Sequence, residues 1–144
     1  MKITDAHLKQ IYVHAGETYP HECFGYLLGS WRGGGQVEKV RRGTNLNQAR
    51  TDRFDMDPRE YDRIERAADE AGLSILGFYH SHPDWPAIPS QTDMAWAAGW
   101  PEFIYLIVSV HEGRPAHTGV WQLAGDEPLR FVPAALEIVD GDQP

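Results

Sequence analysis

Cysteine is nearly absent from this chain: Cys23 stands alone in 144 residues, so no internal disulfide can form. That scarcity suits a reducing compartment, and a cytoplasmic location is expected. Long apolar runs are missing too. None approaches the length of a membrane span, and Met1 to Asp5 lead straight into a polar, periodic segment, so neither a signal peptide nor a transmembrane helix is expected. Positive charge is in deficit, with 13 Lys/Arg against 21 Asp/Glu and a formal net charge of -8. Such a balance argues against broad binding to nucleic acid or to membranes. Repeats, low-complexity blocks and linkers are also lacking. The length then suits one domain over residues 1–144, large enough to bury a core without staples.

What is present reads as an ordinary globular chain, 42% apolar and 24% charged. The charge is unevenly spread. Residues 32–66 hold nine Lys/Arg against seven Asp/Glu, whereas residues 67–144 hold two against eleven. Solvated faces explain this contrast simply; an Arg-bearing docking surface for an acidic or carboxylate-bearing partner is the alternative.

Taken in order, Thr4 is placed to cap a first helix, with Ile3 stapled onto Leu8 and an apolar stripe of Leu8, Ile11, Tyr12 and Ala15. Gly16 and then Pro20 are expected to end it, and His7 and His14 read as surface or satisfied core histidines. Glu22 to Gly29 read as an apolar strand, and Glu22 at its mouth is either a solvated strand-end residue or a placed catalytic group. A turn over Ser30 to Gly35 leads to a second hairpin strand from Gln36 to Arg42, and Arg50 to Met56 suggest a short third. Asp57-Pro58-Arg59-Glu60 predicts a capped helix with a capping box, a Met56–Tyr61 staple, a stripe of Tyr61, Ile64, Ala68 and Ala71, and Gly72 at its C-terminal end. Leu73 to Tyr79 should be a strand. Ser90 caps a third helix with Asp93 at N3 and Met94, Ala97 and Ala98 inside, ended by Gly99 or Pro101. Phe103 to Val110 is apolar without alternation, as in a central strand covered on both faces. Thr118 to Leu123 and Leu129 to Val132 suggest two more strands, and the tail from Asp140 a frayed end. The sum is an α/β domain with a mixed sheet and about three helices.

The chemistry concentrates between Gly77 and Asp93. His80 and His82 are two apart, so on a strand they share a face. Asp93 returns towards them if the loop from Pro83 to Pro89 folds over, with Trp85 as its rim. Two imidazole nitrogens and a carboxylate oxygen, with water as fourth ligand, describe a catalytic site for one zinc ion. Zinc acidifies such a water and polarises a carbonyl. A polar strand rim and ordinary helix capping explain the parts separately. The conjunction His-x-His-x7-Ser-x2-Asp would arise by chance on the order of once in a thousand chains. A hydrolytic site also needs a general base and an oxyanion donor, and Glu22 and Ser90 are the natural choices. His111 and His117, flanking a turn, read as non-ligands. Cys23, facing opposite to Glu22, reads as a small core residue.

His80-Ser81-His82-Pro83 with Pro89-Ser90-Gln91-Thr92-Asp93 resembles the metal motif of the JAMM (MPN-plus) metalloproteases. Pro20 to Gly29 is similar to their upstream segment bearing the catalytic glutamate. The resemblance implies a cytidine-deaminase-like α/β sandwich, zinc held by His80, His82 and Asp93, Glu22 as base and Ser90 as oxyanion donor. It also implies hydrolysis of an amide or isopeptide bond at the C-terminus of a ubiquitin-like protein ending in Gly-Gly. With seven residues between His82 and Ser90, the chain resembles the short bacterial members linked to sulfur-carrier proteins, from which they release a C-terminal amino acid or adduct. A non-catalytic MPN scaffold would lose ligands, and none is missing. RadC-like proteins linked to DNA repair usually read His-Asn-His-Pro-Ser-Gly, unlike His82-Pro83-Asp84-Trp85, and an acidic chain does not suit DNA. A zinc nucleobase deaminase needs Pro-Cys-x-x-Cys, which a single cysteine excludes.

Overall fold

The computed structural model describes residues 1–125 and 129–140; the last four residues of the tail expected to fray lie outside the described residues. Among the described residues eight strands form one mixed sheet in the order β7-β6-β5-β4-β2-β3-β1-β8. They are β1 (Lys2–Thr4), β2 (Phe24–Ser30), β3 (Gln36–Arg42), β4 (Ser74–Pro83), β5 (Ile104–His111), β6 (Arg114–Ala124), β7 (Arg130–Pro133) and β8 (Glu137–Val139). The helices are α1 (Asp5–Thr18), α2 (Pro58–Glu70) and α3 (Gln91–Ala97). Among the described residues no helix is long and apolar enough to cross a membrane.

The sheet is buried on both faces, which is why β2, β4 and β5 read as continuous apolar runs. One face packs Leu27, Leu106, Val108 and Val110 against Leu8, Ile11 and Ala15 of α1. The other packs Phe24, Tyr26, Phe78 and Tyr105 against Ile64 and Ala68 of α2 and Ala97 of α3. A bulge at Leu76 aligns the central strand with both layers. The register passes from Leu27↔Gly77 to Leu28↔Ile75, so Ile75 and Phe78 face the same layer although three residues apart.

Several sequence expectations need correction. A strand not expected before the first helix, β1, pairs in parallel with β3 and β8, while Ile3 within it shares a core cluster with Leu8. Strands of three residues carry too little periodicity to be read. Helix α1 runs through Gly16 to Thr18, because a single glycine weakens a helix without stopping it. Residues 50–56 form no strand; they lie in an irregular loop built on side-chain hydrogen bonds. Asp57 caps α2 by accepting from the Arg59 amide, but Glu60 does not complete a capping box. Its carboxylate instead accepts from the Thr44 amide at 2.9 Å and the Tyr26 hydroxyl at 3.2 Å. Ala71 is exposed. Gly72, at φ +73°, closes α2 with the paired bonds Gly72 N to Asp69 O and Leu73 N to Ala68 O. Strand β4 extends to Pro83, beyond the expected Tyr79, so both histidines lie within the sheet.

Candidate metal centre

Strand β4 lies between β2 and β5, with His80 opposite Phe24 on one side and Ile107 on the other, and His82 opposite Ser109. Alternation turns both imidazoles to the α2–α3 face, where they are 2% and 3% exposed. Asp93 reaches them from α3. Its helix starts in a full capping box: the Asp93 amide donates to Ser90 Oγ at 3.0 Å and the Ser90 amide to Asp93 Oδ2 at 2.9 Å. The same carboxylate sets Oδ2 2.9 Å from His82 Nε2 and Oδ1 3.1 Å from His80 Nε2. One side chain therefore both starts the helix and joins the histidines. Ligand atoms of His80, His82 and Asp93 all lie within 4.8 Å of one another.

These atoms repel unless something positive lies among them. His82 Nδ1 is 2.7 Å from the Pro86 carbonyl, and a carbonyl only accepts, so Nδ1 carries the ring hydrogen. In the neutral ring Nε2 is then a bare lone pair, yet it sits 3.2 Å from His80 Nε2 beside a carboxylate. A proton or a cation satisfies such a cluster. Burial lowers the pKa of His80, an effect that Asp93 opposes. Burial would also raise Asp93, but the two imidazoles outweigh it and hold the carboxyl well below its usual range. Two buried nitrogens and an ionised carboxylate beside a cleft fit a four-coordinate zinc ion with one open position.

The cleft encloses about 340 Å³ and is lined by Glu22, Thr51, Asp52, His82, Trp85 and Ser90, among others. Glu22 is 3% exposed, and its Oε1 has no hydrogen-bond partner among the described residues. Burial, then the charges of Asp93 and Asp52, push its carboxyl up to about 9, while Arg53 opposes them. Ser90 Oγ accepts from the Asp93 amide and keeps its own hydrogen to donate. Trp85, half exposed, sets its ring edge-on to His82 at 5.2 Å. The rim holding Trp85 is fixed through its main chain: Pro86 O faces His82, and Ala87 O accepts from Trp121 Nε1 at 3.1 Å. Gly119 permits that approach, since a Cβ there would lie 2.6 Å from Ala87 O.

The remaining histidines stay apart from this cluster. His14 is buried, bonded through Nδ1 to the Tyr79 hydroxyl at 2.7 Å, and burial is the main cause that brings its pKa down to about 4. His111 and His117 are exposed. Cys23 is buried, and burial pushes its thiol up to about 12, so it is no nucleophile. The sequence reading missed Thr51 and Asp52 as cleft residues and Asn45 as the centre of the loop that carries them. The turn-forming run Asn45-Leu46-Asn47 was the available signal.

A family profile described as prokaryotic homologues of the JAB domain matches residues 4–123. A desampylase of Haloferax volcanii is 40% identical over 84 residues, 58% of this chain and 56% of that protein. A probable TtuB-protein conjugate cleaving protease of Thermus thermophilus is 36% identical over 67 residues, 46% of this chain and 45% of that one. The chain thus matches about half the length of these curated relatives. Among solved structures, a Salinibacter ruber protein superposes with a TM-score of 0.73 at 40% identity, covering 100% of this chain and 95% of that one. A JAB1/MPN domain protein of Archaeoglobus fulgidus gives 0.62 at 20% identity, covering 97% of this chain and 100% of that one, a likeness of fold alone.

Proposed function

The chain belongs to the family of prokaryotic homologues of the JAB domain, and from that premise we propose that it is a zinc-dependent hydrolase of ubiquitin-like protein conjugates. Its substrate would be the amide or isopeptide bond at the C-terminus of a carrier ending in Gly-Gly, of the sulfur-carrier type. The relatives named for cleaving such conjugates support the substrate class. The sheet covered by α1 on one face and by α2 and α3 on the other is consistent with a cytidine-deaminase-like sandwich.

One observation carries the reading: His82, one of three buried groups that cluster at ligand distance, borders the same cleft as Glu22, a buried carboxyl whose Oε1 has no partner among the described residues. His80, His82 and Asp93 would hold zinc, which supplies Lewis-acid polarisation and a water acidic near neutrality. Glu22, ionised beside that charge, takes a proton from the attacking water and returns it to the leaving amine. Ser90 donates its hydroxyl hydrogen to the developing oxyanion. Asp93 holds Ser90 in place through the capping box, and Trp85 with Thr51 narrows the approach. The middle of the chain is the proposed docking surface, although Arg42 already pairs with Glu17 at 2.6 Å. Arg41→Glu with Arg42→Glu should weaken carrier binding; unchanged affinity removes this surface.

The direct test incubates the protein with Gly-Gly-ending carriers bearing C-terminal extensions and reads their masses with and without a chelator. Loss of the extension only without chelator is expected. Cleavage by fully metal-stripped protein would overturn the zinc reading.

A further inference from the structure

Glu22 and Cys23 precede β2, so the peptide group between them lies outside the sheet ladder, yet both residues are buried. A buried peptide group needs both partners. Here two side chains supply them. The Glu22 carbonyl accepts from Asn45 Nδ2 at 3.0 Å, and the Cys23 amide donates to Ser81 Oγ at 2.8 Å. Ser81 points away from its neighbours His80 and His82, to the opposite face of β4.

We infer that Asn45 and Ser81 are positioning residues that clamp the Glu22–Cys23 peptide plane from both sides and so aim the Glu22 carboxyl into the cleft. Holding that plane fixes the torsion between the Glu22 Cα and its carbonyl, and with it the direction in which the side chain leaves. Asn45 does more. Its second Nδ2 hydrogen reaches Arg53 O at 3.4 Å, and its Oδ1 accepts from the Asn47 amide at 2.8 Å and the Asp55 amide at 3.0 Å. Two donors and two acceptors are all an amide side chain has, and every one is used. Gln48 Nε2 binds the Asn45 carbonyl at 2.6 Å. One residue thus ties the proposed base to the loop that brings Thr51 and Asp52 to the cleft. A misplacement of about 1 Å at a reacting group can cost on the order of a hundredfold in rate.

The inference rests on Glu22 as base, and its test separates the two. Asn45→Asp keeps the acceptor oxygen for the loop and removes both donors; Asn45→Ala removes everything; Ser81→Ala frees the other side of the plane. The readouts are amide hydrogen exchange at Cys23, Asn47 and Asp55, measured against Leu106 in β5 as a gauge of global opening, then zinc content, kcat and KM on an extended Gly-Gly carrier. Asn45→Asp should speed Cys23 exchange about tenfold relative to Leu106, although the change lies across the peptide bond from that amide. It should keep Asn47 and Asp55 slow, retain zinc, hold KM within about threefold and lower kcat about ten- to a hundredfold. Asn45→Ala should also speed Asn47 and Asp55 and raise KM, and Ser81→Ala should repeat the Cys23 and kcat effects. Unchanged relative Cys23 exchange, or wild-type kcat, in Asn45→Asp overturns the clamp. Full turnover in Glu22→Gln instead overturns Glu22 as base, while Cys23 exchange still decides the clamp.

Discussion

Glu22 is kept at a cost to stability. An acid whose folded pKa is raised holds its proton in the folded chain while the unfolded chain releases it. For Glu22 this covers the window from its ordinary 4.5 to about 9, and there stability falls as pH rises. Glu22→Gln should therefore stabilise the metal-free protein at pH 8 by at least about 1 kcal/mol, a few degrees in Tm. The gain should shrink towards pH 5, as thermal melts at both pH values would reveal, and turnover should vanish while zinc is retained. The ligands behave in the opposite way, as facing lone pairs that a cation relieves. Added zinc should stabilise the fold by about 2.7 kcal/mol at a hundred times its Kd, and Tm should rise accordingly with its concentration. His82→Ala should abolish that shift together with activity; a shift that persists would remove His82 as a ligand.

Among the elements, α3 has the most to do with the least length. Seven residues form a helix too short to stand on propensity alone, and its capping box sets both its start and the place of Asp93. Ser90→Ala should cost about 1 kcal/mol of stability through the lost cap. A loss in kcat of on the order of a hundredfold should accompany it if Ser90 is the proposed oxyanion donor, with zinc content measured alongside to show whether Asp93 has also moved. Gly72→Ala, a control on α2, should cost about 1 kcal/mol because the backbone there is left-handed, with kcat unchanged. The elements that position this chemistry were legible where a local rule dictates them: Thr4, Asp57 and Ser90 cap as read, and the apolar run of β5 is central. Others were closed to the sequence because they depend on distant partners. Strands β1 and β8 exist only by pairing with each other and with β3. Glu60 leaves its expected place in the helix cap because Thr44 and Tyr26 offer it better partners. The loop before Asp57 reads as a strand until Asn45 is seen to bind four groups within it.

Over the whole molecule, one sheet brings together groups far apart in the chain. Glu22 precedes β2, the histidines sit on β4 and Asp93 follows in α3; strand pairing between β2 and β4 makes them neighbours. The cluster of His80, His82 and Asp93 could be read from the 14 residues that run from His80 to Asp93 inclusive. The cleft wall could not, because Thr51 and Asp52 reach it through an irregular loop whose path no periodicity encodes. If the Arg-bearing stretch of residues 32–66 is the docking surface, the carrier should present an acidic patch to it. Binding to such a carrier should therefore weaken several-fold between 50 mM and 500 mM salt; titration at both concentrations would show it, and a salt-independent Kd would count against it. The rim of the cleft, finally, hangs from the carbonyls of Pro86 and Ala87 and not from the side chain of Trp85. Evolution or design could thus exchange that side chain to reshape the entrance while the main-chain supports of the rim stay as they are, so under the proposed function selectivity would be free to drift separately from chemistry.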